Sequence, residues 1–161
     1  MQSDFIFPVL NLPQSVQRVR RGKRGCDIHD PLRKKWVALT PEEWVRQNFI
    51  SWLISAKGYK SALIANEVGI RLNGMIRRCD TIVYNQSLKP IAIVEYKAPN
   101  VEITQQVFDQ IARYNMVLGA NILIVSNGMK HYCCRFNGSN SYTFIPEVPD
   151  YDSVIAANQN S

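Results

Sequence analysis

The chain has 161 residues, 46% of them apolar, and a net charge of +6. This length and apolar content predict one globular domain with a hydrophobic core, not a disordered chain. No apolar run reaches the roughly 18 residues that a transmembrane helix needs, and residues 1–12 lack the basic start of a secretory signal, so we expect a cytoplasmic protein without a membrane partner. The four cysteines form no CxxC pair and there are two histidines, which disfavours a zinc site.

The positive charge is concentrated near the N-terminus. Residues 16–35 hold eight basic and two acidic side chains, a net charge of +6, and the rest of the chain is balanced. Such a segment on a neutral domain is typical of contact with a phosphate backbone, and a solvated arm that only aids solubility is the alternative. The candidate nucleic-acid contacts in it are Arg18, Arg20, Arg21, Lys23 and Arg24.

Three regions are predicted along the chain. Residues 1–35 carry proline, glycine and charge with little periodicity, which predicts an extended basic arm with at most a short strand. Residues 36–146 are expected to form the domain, and residues 147–161 a polar tail that frays.

The domain is predicted to begin with a helix. Thr40 is a suitable N-cap, Pro41 fits the first helical position, and Glu43 completes a capping box. Gly58 ends the helix. Arg46 and Gln47, within it, are expected to face either phosphate or water.

Strands and one further helix follow. The sequence predicts a strand at 63–72, a hairpin whose strands begin at Asp80 and end at Lys97, and a strand at 121–126. A helix is predicted over residues 102–118, between the hairpin and the strand at 121–126. Two more strands are predicted at 131–136 and 142–145. The order αβββαβββ predicts an α/β (α+β) fold with helices packed on a mixed sheet.

The hairpin between Asp80 and Lys97 carries the most informative side chains. Residues 85–90 have turn chemistry, and symmetric closure about them places Asp80 opposite Glu95 and Arg78 opposite Lys97. A phosphate between the two cations would separate them, so Arg78 is a further candidate nucleic-acid contact. Glu95 and Lys97 are two residues apart and point to the same face. Two carboxylates directly across a ladder lie about 5 Å apart and repel each other unless a cation lies between them.

These groups are the parts of a metal-dependent phosphodiesterase site. Mg²⁺ prefers hard oxygen ligands and needs only one or two carboxylates, here Asp80 and Glu95, with the backbone carbonyl of Tyr96 as a third oxygen. Lys97 would orient or deprotonate the attacking water, or stabilise the developing charge. The alternative is an ordinary ion pair on a solvent-exposed sheet face. Glu67, on the neighbouring strand, is either a further ligand or a surface residue.

Several separated blocks resemble the PD-(D/E)XK nuclease superfamily, and more closely the N-terminal nuclease domain of type I restriction enzyme R subunits. They lie between about Arg33 and Tyr132 and include residues 39–47, 78–83, 94–99, 110–115 and 126–128. The resemblance implies a restriction-endonuclease-like fold and a catalytic set of Asp80, Glu95 and Lys97. It also implies a supporting pair, Gln110 and Tyr114, and a metal-binding role for Glu43 as the alternative to the capping box.

The resemblance further implies a Mg²⁺-dependent endonuclease domain that hydrolyses DNA phosphodiester bonds, with Mn²⁺ able to substitute. DNA, other restriction-modification subunits and a motor domain would be its partners. No GxxxxGK[ST] phosphate-binding loop is present, so no ATP site is predicted in this chain. The alternatives are a catalytically silent nucleic-acid-binding module of a restriction-type complex, and a purely structural or protein-interaction domain.

Overall fold

The computed structural model describes residues 7–138 and 141–159. In these ranges the chain forms two sheets and three α-helices. The elements are β1 (Val19–Gly22), β2 (Gly25–Asp30), β3 (Lys35–Ala38), α1 (Pro41–Ala56), β4 (Ile64–Leu72), β5 (Met75–Tyr84), β6 (Pro90–Tyr96), α2 (Gln105–Leu118), β7 (Ile122–Ser126), β8 (His131–Phe136), β9 (Tyr142–Ile145) and α3 (Tyr151–Gln159).

The main sheet has the strand order β4-β5-β6-β7-β8-β9. Only β6 and β7 pair in parallel, across the α2 connection, and the other neighbours are antiparallel. The predicted mixed α/β architecture is therefore confirmed. No helix in the described part of the chain is long and apolar enough to cross a membrane.

Helices cover both faces of this sheet. Phe49 of α1 and Tyr151 of α3 pack on one face, and Ile111 of α2 packs on the other. The residues of β6 after Pro90 are all buried, as expected for a central strand covered on both sides. The side chains that end this strand are therefore held by a rigid surrounding core.

The β5–β6 hairpin has the predicted register. Thr81 pairs with Val94 and Val83 pairs with Ala92. Asp80 and Glu95 occupy the next facing positions in this register, at the edge of the ladder. The predicted pairing of Arg78 with Lys97 is wrong, because the β5–β6 ladder ends at the Thr81–Val94 pair and β6 ends at Tyr96.

Residues 19–38 are folded, so the prediction of an extended basic arm is wrong from residue 19 onward, and residues 1–6 of that arm lie outside the described residues. Residues 19–38 form the three-stranded antiparallel sheet β1-β2-β3. Opposite charges face each other across it, with Arg20 Nε 3.4 Å from Asp27 Oδ2. Ile28 is fully buried and anchors the sheet to the domain. The many charged residues of this segment obscured the strand pattern, because the inner face of such a small sheet needs only a few apolar residues.

Residues 147–159 of the C-terminal tail are also ordered, contrary to the predicted fraying, and residues 160 and 161 lie outside the described residues. α3 packs Tyr151 and Val154, three residues apart, into the core formed by α1 and the main sheet. The ring of Tyr151 lies edge-on to Tyr59 with centroids 5.5 Å apart. This apolar stripe outweighs the polar composition of the tail.

Helix α1 begins as predicted, but the described structure contains only one of the two hydrogen bonds of a capping box. The Thr40 hydroxyl accepts a hydrogen bond from the Glu43 backbone N–H at 3.0 Å. The Glu43 carboxylate turns instead into a buried network of arginines, where it accepts from Arg33. Gly58, with φ +74°, follows the helix end as expected.

Candidate active site

Asp80 lies where the β4–β5 hairpin is irregular. Glu67 and Asp80 occupy facing positions between two regular pairs, which are Asn66–Thr81 and Val68–Cys79. Glu67 has a φ of +57°, a left-handed conformation that costs a non-glycine residue about 1–3 kcal/mol unless its surroundings hold it. Backbone strain of this kind is typical of functional sites, where the surrounding structure holds a side chain in a required position.

The carboxylate of Asp80 is tied to the end of β6. Its Oδ2 accepts a hydrogen bond from the backbone N–H of Tyr96 at 2.9 Å. Burial raises the pKa of Asp80 above its usual range, against the lowering effect of this bond and of the Arg46 guanidinium. Asp80 is thus fixed beside Glu95, in a partly buried environment where two neighbouring negative charges are unfavourable unless a cation neutralises them.

Glu95 is the most perturbed acidic group of the site. Its side chain is 7% exposed, and Oε2 has no hydrogen-bond partner among the described residues. Burial, followed by the charge of Asp80, raises the pKa of Glu95 to about 8, and Lys97 opposes the shift. A buried carboxylate oxygen without a partner, next to another carboxylate, needs a proton or a cation.

Lys97 follows Glu95 by two residues and is half-buried. Its backbone N–H donates to the carbonyl of Ser126 at 2.9 Å, which extends the β6–β7 pairing to this residue. The ammonium forms no ion pair within 4 Å in the described part of the chain, so its charge is available to a substrate next to Glu95.

The donor set fits Mg²⁺. Hard oxygens from Asp80 and Glu95 face each other, and the unpartnered Glu95 Oε2 is a ready ligand atom. Among residues 7–138 and 141–158, no group of three or more His, Cys, Asp or Glu side chains is close enough to hold a metal. A Mg²⁺ ion that keeps several waters needs only one or two carboxylates.

Arg46 joins the site to α1, and sequence reasoning missed this role. Its Nη1–H donates to the backbone carbonyl of Asp80 at 2.9 Å and its Nη2–H to Glu67 Oε1 at 2.5 Å. Its Nε lies 3.1 Å from Glu43 Oε2. The guanidinium also lies over the Tyr96 ring, 5.6 Å from the centroid. One buried side chain therefore connects α1, β4, β5 and β6.

The network continues to the N-terminal sheet. Arg33 donates to Glu43 at 2.7 Å and also to the fully buried Asp30 of β2. On a second path, Asn66 Nδ2 donates to Asp30 at 3.0 Å, and the Thr81 hydroxyl donates to Asn66 at 2.7 Å. Asp30 is thus linked by one route to the backbone carbonyl of Asp80 and by the other to the hydroxyl of Thr81.

These contacts correct three expectations. Arg46 and Gln47 are buried and face neither phosphate nor water. Glu43 accepts bonds from Arg33 and Gln47 and pairs with Arg46, so its carboxylate is already neutralised. Glu67 is half-buried and ion-paired rather than a surface residue. The signal available in the sequence was the placement of Arg46 on the apolar side of α1.

Gln110 and Tyr114 share one face of α2. Gln110 Nε2–H donates to the Tyr114 hydroxyl at 3.0 Å. Tyr114 is buried against the same cluster as Cys79 and Ile93, on the face of the sheet that α2 covers. Their supporting role remains a prediction.

The predicted nucleic-acid contacts lie on two separate elements. Arg18, Arg20, Arg21, Lys23 and Arg24 are exposed on the strand β1, the residue before it and the β1–β2 turn. The guanidinium groups of Arg18 and Arg20 lie 5.3 and 4.3 Å from the Trp36 ring centroid. Arg78 is exposed on β5, two residues before Asp80.

We expect the stability of the metal-free protein to fall as the pH rises from about 4.5 to about 8. In this window the folded protein keeps a proton on Glu95 that the unfolded chain has lost, so folding binds protons. Over this pH range the free energy of unfolding should decrease by at least about 1.4 kcal/mol less in Glu95→Gln than in the wild type, because a change of 1 in a pKa corresponds to about that free energy. Urea unfolding in EDTA at pH 5 and pH 8.5 measures it.

The control for this experiment is Glu102→Gln, because Glu102 is exposed. It should leave the pH profile of the wild type unchanged. Identical profiles for Glu95→Gln and the wild type would show that Glu95 titrates normally.

The domain has a mixed sheet covered by helices on both faces, with a carboxylate pair at facing positions of β5 and β6. A family model described as the type I restriction enzyme R protein N terminus matches residues 41–149. The chain belongs to this family. The matched region contains α1, the main sheet and all of the candidate catalytic residues.

A solved structure shares the fold. It is a fragment assigned as an HsdR subunit of a type I restriction enzyme from Vibrio vulnificus YJ016, with 17% sequence identity and a TM-score of 0.57. The similarity covers 77% of this chain and 27% of that fragment. No curated protein matches the sequence.

Proposed function

We propose that this chain is a Mg²⁺-dependent endonuclease domain that hydrolyses DNA phosphodiester bonds. The observation that carries the proposal is the pair of the half-buried Asp80 and the buried Glu95, with one Glu95 carboxylate oxygen unpartnered among the described residues and the ammonium-bearing Lys97 two residues further on. Family membership supports the nuclease assignment, because R proteins are subunits of restriction enzymes.

The residues divide the chemistry between them. Asp80, Glu95 and the carbonyl of Tyr96 would hold the metal, which polarises the phosphate and acidifies a bound water when present. Lys97 orients that water and stabilises negative charge on the phosphate in the transition state. Arg46 fixes the backbone at Asp80, and Gln110 and Tyr114 provide neutral hydrogen-bonding groups on α2.

Substrate binding is assigned to the basic N-terminal sheet and Arg78. Residues 16–35, which include β1 and β2, carry a net charge of +6. Asp30 of β2 connects the sheet through Asn66 to the hydroxyl of Thr81, next to Asp80, so a phosphate backbone bound there is held in a fixed position relative to the site. In the cell, the other subunits of a restriction-modification complex, including a motor domain, would be the partners.

The test is cleavage of supercoiled plasmid by the purified chain. We expect nicked and linear products with Mg²⁺ or Mn²⁺, and none with EDTA or with Ca²⁺, which binds oxygen ligands with a looser geometry. Equal products with and without EDTA would contradict the proposal. Salt-sensitive DNA binding without cleavage under any metal would instead support the non-catalytic module.

A further inference from the structure

A polar cleft lies at the face of the main sheet that α2 covers. It has a volume of about 540 Å³ and separates the end of the β4–β5 hairpin from α2. Arg77 of β5 lines one wall and Arg113 of α2 lines the other. Gln110 and Tyr114 lie on the α2 side, together with Asp109, whose carboxylate accepts a hydrogen bond from Gln105 at 3.1 Å.

The two arginines of this cleft are exposed, and a carboxylate that also lines the cleft, Asp109, lies four residues before Arg113 on the same wall. Neither Arg77 nor Arg113 forms an ion pair within 4 Å in residues 7–138 and 141–158, and both are exposed. Arg33 and Arg46 differ, because each of them is neutralised by carboxylates. Two guanidinium groups on facing walls repel each other, and an anion between them would remove that cost.

The cleft is adjacent to the carboxylate pair. Arg77 and Cys79 are two residues apart on β5 and point to the same face, at a distance of about 7 Å along the strand. Cys79 is buried with Tyr114 and Ile93 in the cluster under α2. Ile93 and Glu95 are two residues apart on β6 and point to the same face. The cleft and the candidate metal site therefore lie side by side on one face of the sheet.

We propose that this cleft binds the phosphate backbone of DNA next to the phosphodiester bond that is cleaved. Arg77 and Arg113 contact phosphate oxygens from opposite walls, in the forked geometry that arginine uses for phosphate. The amide of Gln110 and the hydroxyl of Tyr114, 3.0 Å apart, supply neutral hydrogen bonds between them. The inference rests on the proposed function, since it takes DNA as the substrate.

The experiment measures DNA binding without cleavage. A fluorescently labelled duplex is titrated with the full chain in Ca²⁺, and anisotropy gives Kd at several salt concentrations. The test variant is the double substitution Arg77→Gln and Arg113→Gln. The control is Lys89→Gln with Arg135→Gln, which removes the same charge from exposed positions at the other end of the main sheet.

We expect the cleft variant to raise Kd at least about tenfold and to reduce the slope of log K against log salt by about 2, since two phosphate contacts are lost. The control should change Kd less than about threefold, the effect of net charge alone. Both should keep the wild-type unfolding midpoint, because all four side chains are exposed.

The outcomes separate the two proposals. If the wild type binds and cleaves DNA while the cleft variant behaves like the control, the cleft assignment is wrong and the nuclease assignment stands. If the wild type binds no DNA even at low salt, both are wrong.

Discussion

Replacing Lys97 with alanine should reduce plasmid cleavage at least about 100-fold, the loss typical of removing a charged group aimed at the transition state. The ammonium forms no ion pair within 4 Å in the described part of the chain, so its removal deprives no carboxylate of an ion-pair partner. The unfolding midpoint should therefore change little. The measurement is the initial rate of nicking under saturating Mg²⁺, with urea unfolding of the same preparation.

Lys130→Ala is the matched control, because Lys130 is exposed in the turn before β8 and lies outside the candidate site. It should cleave at the wild-type rate. Asp80→Asn provides the complementary variant, since it keeps the shape of the side chain and removes a metal-ligand charge. Unchanged nicking by Lys97→Ala and Asp80→Asn would show that the cleavage arises elsewhere.

Replacing Arg46 with methionine should be the most destabilising single change in the site. It leaves Glu43 and Glu67 without their shared cation and the carbonyl of Asp80 without a donor. Removing one partner of a buried ion pair costs about 3–5 kcal/mol, which is a large part of the 5–15 kcal/mol that stabilises a typical domain. Urea unfolding at neutral pH measures the loss.

Arg46→Lys distinguishes charge from geometry. A single ammonium restores the charge but cannot reach Glu43, Glu67 and the Asp80 carbonyl together, so we expect partial recovery of stability and continued loss of cleavage. Arg135→Met, at an exposed position on β8, is the control and should cost less than about 0.5 kcal/mol. A loss below about 1 kcal/mol for Arg46→Met would show that the network does not hold the site.

The main sheet could be predicted because its signals are local. Alternating β-branched residues defined the strands, and the turn between Tyr84 and Pro90 fixed the register that places Asp80 beside Glu95. The start of α1 followed from Thr40 and Pro41 for the same reason. Each of these signals lies within a few residues of the feature that it specifies.

The rest depended on contacts that join distant parts of the chain. Asp30, Glu43 and Glu67 belong to different elements, and only the folded chain brings them to the same arginines. The N-terminal sheet was missed because its inner face needs few apolar residues beyond Ile28. The apolar stripe of α3 was present in the sequence, but its polar neighbours obscured it.

The most direct test of the metal-dependent site is a crystal of the chain soaked in Mn²⁺. An anomalous difference peak should lie between the carboxylates of Asp80 and Glu95, in contact with Glu95 Oε2, and it should be absent from Asp80→Asn crystals soaked in the same way. A peak elsewhere, or none at this position in wild-type crystals that keep the described fold, would contradict the account.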